Sequence, residues 1–196
     1  VTDKLDLSEL LGHDMMYVTP NPLPPTFNEK VAISVEEPSE DPIERIRQRN
    51  RKKAQSLSPP PDESLLIYVY LKEEMYHRGI DIPILAPAYV HGVWTDTDLM
   101  QTMLLASEVA HEHFSLATQQ AIRTIEKYAS LGIDQIGIGG DFAGNRPLIS
   151  PEAYRNFVVS EVLSLSRLIH SFDGWAVNAS DGNLWSVIDD FLIGCE

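Results

Sequence analysis

The chain has 196 residues, 43% hydrophobic content and a formal net charge of −14, enough for one domain with a real core. That acidic balance argues against general nucleic-acid binding, which needs a basic footprint. The sequence has no apolar run long enough for a helical membrane span.

The single Cys195 cannot form an internal disulfide, which fits a reducing, cytoplasmic setting. The polar, acidic start VTDKLDLSELLGHD is not a secretory signal. The chain begins at Val1, and further residues are expected upstream of it.

Residues 1–35 form an N-terminal segment. LDLSELLG predicts a short helix closed by Gly12, DMMYV a short strand, and TPNPLPPTF a proline-rich loop. His13 and Asp14 read as turn and cap residues before the strand. Residues 36–64 form a charged, proline-rich insertion, acidic at first and basic from Arg45 to Lys53. Its basic run fits a helix starting near Ser39 or Asp41, with Ile43 and Ile46 as its apolar contacts, and the prolines at 59–61 stop it. The expectation is a solvated insertion, with a docking surface for an anionic ligand or acidic partner as the alternative.

From residue 65 to 196 strands and helices alternate. ESLLIYVYLKEEMYHRG predicts a helix with Leu65, Leu66, Val69 and Met75 on its apolar face and Gly79 as its cap, although YVY leaves a strand in competition. IDIPILAPAYVHGVW reads as a buried strand running into a loop at Tyr89–Trp94. Thr97 to Leu131 is one helix, or two broken near Ala106–Ser107. His111, Phe114, Thr118, Ala121, Ile125 and Tyr128 share one face of it, and Gly132 stops it. IDQIGIGG is the next strand. Ser150-Pro151-Glu152 starts the next helix, with Ser as N-cap and Pro at N1. Tyr154, Phe157, Val158, Val162, Leu165 and Ile169 form its buried stripe. GWAVNA is a further strand, SDGN a turn, and LWSVIDDFLIG a last helix.

This order implies an α/β fold with a parallel sheet, either open and doubly wound or closed into a (β/α) barrel. Both place ligands at the C-terminal ends of the strands. Polar residues cluster there, at Tyr89–Trp94, at Asp141 and at Asn178–Asn183.

Asp141 follows Gly139 and Gly140, and either caps the turn amides or meets a ligand. His91 is a general acid or base, or a hydrogen-bonded loop residue. Asn178 is the last residue that strand alternation points inward with Ala176. His111 and His113 lie about 200° apart around a helix, so they cannot share one metal ion. No P-loop, GxGxxG, GxSxG, HExxH or CxxC motif occurs.

LGIDQIGIGGDFAGNRPLISPEAYRNFV followed by ASDGN resembles the uroporphyrinogen decarboxylase superfamily, which includes cobalamin-dependent methyltransferases. PILAPAYVHGVW and LLGHDMMYV look like its earlier segments. The resemblance implies a (β/α)8 TIM barrel, of which this chain holds only part, because a whole barrel needs about 250 residues. It also implies a family carboxylate at Asp141; with the strand-end positions, the residues expected in the site are Asp141 and His91 as catalytic groups, and Tyr89, Trp94, Arg146, Asn178 and Asp181 binding substrate.

The activity expected first is a carbon–carbon lyase, a decarboxylase acting on a tetrapyrrole-related or small ligand without a cofactor. The alternatives are a corrinoid-dependent methyltransferase component and a non-catalytic binding subunit. The methyltransferases of the superfamily hold zinc with a His and a Cys in this turn. Ala179 and Asp181 stand at those positions, so no metal ligand is assigned. The partners expected are the small or tetrapyrrole ligand, a corrinoid protein in the methyltransferase reading, and a second copy in a homodimer. No nucleic acid and no membrane are expected.

Overall fold

The computed structural model describes residues 1–20, 39–89 and 92–195. Most of the proline-rich loop read at 19–27 lies outside the described residues. The helices are α1 Thr2–Leu11, α2 Pro42–Gln55, α3 Asp62–Arg78, α4 Thr97–Leu105, α5 Ser107–Ser130, α6 Pro151–Tyr154, α7 Ser160–His170 and α8 Ile188–Ile193. The strands are β1 Met16–Tyr17, β2 Ile84–Pro87, β3 Gln135–Gly137 and β4 Trp175–Val177.

The helix ends follow local sequence closely. Gly12, Gly79 and Gly132 take the left-handed conformation at helix C-termini. Asp41 caps α2, accepting from the Ile43 amide at 2.9 Å, and Ser150 caps α6, accepting from Ala153 at 3.1 Å. Ala106 leaves helical geometry and separates α4 from α5. Between α6 and α7 the chain makes one π-helical turn, Arg155–Val159. The predicted stripe from Tyr154 to Ile169 is buried throughout.

The four strands are all parallel and ordered β1-β2-β3-β4. Each new strand joins the outer edge of the last, so the order has no reversal of the kind that makes a doubly wound sheet's switch point. Ala86, Ile136 and Ala176 lie in one register row and pack into the helical layer. The opposite face carries the row Tyr17, Leu85, Gln135 and Trp175. The ends of this second row are open, with Tyr17 56% and Trp175 69% exposed.

Two buried phenols fix strand ends to helices. Tyr68 on α3 donates to the Val18 carbonyl at 2.7 Å, and Tyr128 on α5 donates to the Pro87 carbonyl at 3.0 Å. Their rings meet edge to face at 5.4 Å. Burial pushes both phenols up from their ordinary pKa, so they stay donors.

Three expectations need correction. Leu66 is exposed, and Tyr68 and Leu71 take the buried face of α3. His111 is exposed at the edge of α5, its ring 4.5 Å from that of Phe157, while His113 turns inward. The basic helix α2 is not simply solvated. Ile46 is fully buried, and the helix packs on α4 and α5. Asn50, also buried, donates to the Val109 carbonyl at 3.1 Å and to Glu112 at 3.0 Å. Patterning missed this because charged side chains bury their stems while their heads pair.

Candidate functional site at the strand ends

The loops leaving β2, β3 and β4 meet at the C-terminal edge of the sheet, and Asp141 ties them together. Its backbone carbonyl accepts from the Val93 amide at 2.9 Å and from the Trp94 amide at 3.2 Å. Its side-chain Oδ1 accepts from the Asp181 amide at 2.8 Å. The loops therefore converge on one half-buried aspartate.

This convergence requires close backbone approach. A Cβ on Gly92 would overlap the Asp141 backbone, and one on Gly139 would overlap that of Ala179. The Gly140 amide donates to the Ala179 carbonyl at 2.9 Å, which continues the β3–β4 pairing past the strands.

Of the two roles that its sequence position left open, the structure shows the amide-binding one. One carboxylate oxygen is anchored by an amide. Among the described residues the other has no hydrogen-bond partner and remains available as an acceptor.

The other candidates divide by position. Trp94 is 52% exposed, and its ring lies over Gly144, where a Cβ would come within 2.9 Å of it. Asp181 is exposed, with its amide committed to Asp141. Arg146 is exposed in the loop after β3, where its carbonyl accepts from the Gly144 amide at 3.0 Å. Tyr89 sits below the rim at 3% exposure, where burial pushes its phenol up and Thr118 opposes the shift. Tyr89 thus supports the loop from beneath.

Asn178 turns to the helical layer, the side on which Ala176 packs, and its Oδ1 is buried. It donates to the Phe191 carbonyl at 3.3 Å, on the side of α8. The Tyr154 phenol near it is raised to about 12 by burial, with Asn178 opposing the shift. His91 lies outside the described residues.

Sequence reasoning missed the contacts that α2 makes with the loop after β2. Arg49 and Asp96 are 47 positions apart, and no local pattern connects them. Among the described residues no group of three or more His, Cys, Asp or Glu is placed to hold a metal ion. No described helix is long and apolar enough to cross a membrane.

No protein-family model and no curated protein matches the sequence. Among solved structures, the fold is similar to a methyltransferase from Methanosarcina mazei, with a TM-score of 0.55 and 18% identity. The match covers 71% of this chain and 44% of that one, so this chain corresponds to less than half of the methyltransferase's length. At that identity the likeness is one of fold: this is an α/β chain with a methyltransferase-like arrangement of parallel strands and helices.

Proposed function

We propose that this chain is part of a (β/α)8 barrel of the methyltransferase type, working with a corrinoid-carrying protein on a small ligand held at the strand-end rim. The observation that carries this reading is the convergence of the loops on Asp141, at the edge of the sheet where such folds bind ligands. The fold likeness to a methyltransferase supports the choice of activity. The sequential strand order supports the barrel, as do the open edges at Tyr17 and Trp175. A groove of about 620 Å³ beside β1, lined by Leu7, Met15 and Tyr17, supports a further strand and helix there.

Zinc of the kind that activates a thiol does not fit the residues present. Ala179 has no donor atom, and Asp181 offers a hard carboxylate where such a site uses sulfur or imidazole. No step is assigned to a metal here. Asp141 accepts a hydrogen bond or a proton from the ligand through its unanchored oxygen, while the Asp181 amide keeps the carboxylate in place. Trp94 offers an indole face beside it.

The decarboxylase reading assigns the same carboxylate to a protonated pyrrole. Its polyanionic substrate calls for arginines, and the loop after β3 supplies Arg146.

The test uses the full-length protein with a corrinoid and methylated donors in one arm and a porphyrinogen in the other. Methyl transfer that Asp141→Asn abolishes while the folded CD spectrum is retained is the expected result. Carbon dioxide release from the porphyrinogen without methyl transfer would establish the decarboxylase. Ligand binding without turnover would make the chain a binding subunit.

A further inference from the structure

Two arginines of α2 reach across to the start of α4. Arg45 grips Asp98, with Nε 2.7 Å from Oδ2 and Nη2 2.6 Å from Oδ1. Arg49 places Nη1 2.7 Å from Asp96 Oδ2 and Nη2 3.0 Å from Asp98 Oδ2. Forked guanidinium–carboxylate pairs fix direction as well as distance. Asp96 is also the N-cap of α4, its Oδ1 accepting from the Leu99 amide at 3.1 Å. One aspartate is thus held by α2, holds α4, and ends the short turn that carries Trp94.

That turn is fixed at both ends. Val93 and Trp94 donate their amides to the Asp141 carbonyl, and Asp96 donates its own to the Val93 carbonyl at 3.0 Å. Between them Thr95 has φ of 65°. A β-branched residue in the left-handed region is a genuine outlier, and it persists where the surroundings over-determine it. Here the constraint comes from Asp141 on one side and from Arg49, through Asp96, on the other.

We infer that Arg49, with Arg45 beside it, is a positioning residue for the rim: it holds Asp96 and so fixes Trp94 against Gly144. The functional meaning of this role rests on the rim being the ligand site. The coupling of Arg49 to Trp94 stands on geometry alone. Helix α2 thereby acts as a clamp on the loop after β2.

In the 196-residue chain, Trp175→Phe and Trp185→Phe leave Trp94 as its one tryptophan, and both replaced indoles are exposed. In that background Arg49→Met is expected to increase acrylamide quenching of Trp94 and lower its anisotropy. Asp96→Asn, which keeps a capping side chain but loses the charge pair, is expected to do the same, and Arg49→Lys to recover part of the loss. Arg47→Met removes contacts to Glu44 and Glu108 and is expected to leave Trp94 unchanged. The role is refuted if Arg49→Met and Asp96→Asn both leave Trp94 as in the parent, or if Arg47→Met moves it as far. These readouts need no ligand, so their failure is distinct from failure of the proposed activity.

Discussion

Gly139→Ala perturbs the rim without touching a charged group. The new Cβ meets backbone atoms of Ala179, including its nitrogen at 2.8 Å, and backbone cannot swing aside as a long side chain can. Forcing a methyl into such a site costs roughly 1–3 kcal/mol. Separating the loops also strains the Gly140–Ala179 hydrogen bond, worth about 1 kcal/mol. Restricting the unfolded chain returns about 0.5–1 kcal/mol. The expected net loss is about 2 kcal/mol, a fall in Tm of about 4–8 °C for a chain of this size. Gly137→Ala, two residues earlier, is the internal control. Its Cβ would sit 3.4 Å from the Pro87 Cα, ordinary contact, so that variant gains about 0.5 kcal/mol or stays neutral. Urea unfolding of both variants, read by far-UV CD, decides the matter. Equal stabilities for the two, or a neutral Gly139→Ala, would refute the close approach of the β3 and β4 loops.

Asp141→Ala removes the acceptor for the Asp181 amide and costs about 1 kcal/mol in a urea titration, while abolishing ligand binding measured by calorimetry. Ile46→Ala leaves a cavity under α2 and costs about 2–5 kcal/mol, seen as a lower urea midpoint. His113 is held neutral, its pKa lowered to about 4 by burial first and by the Lys53 charge second. The unfolded imidazole titrates near 6.5. Between those values the unfolded state binds more protons, so this contribution is complete above about pH 6.5 and is lost as pH falls toward 4. The loss amounts to up to about 3 kcal/mol, and His113→Gln flattens that part of the stability–pH curve.

Local chemistry determined the ends of elements. Gly12 and Gly79 have nothing within 4 Å of a Cβ position, so their left-handed backbone alone selects glycine, and sequence reveals it. The Ser150 cap and the stripe from Tyr154 to Ile169 are equally local, set by one residue's hydrogen bond and by helical period. Tertiary structure decided what those rules leave open. Strand order depends on pairing between residues such as Leu85 and Gln135, far apart in sequence. The inward turn of His113, the bond from Asn178 to Phe191 and the docking of α2 depend on which neighbour supplies a polar partner. Asp141 shows the division most clearly. Its place after a buried strand was legible from the sequence. That one of its oxygens is spoken for by Asp181, forty residues away, required the folded chain, because only the folded chain brings that amide within reach.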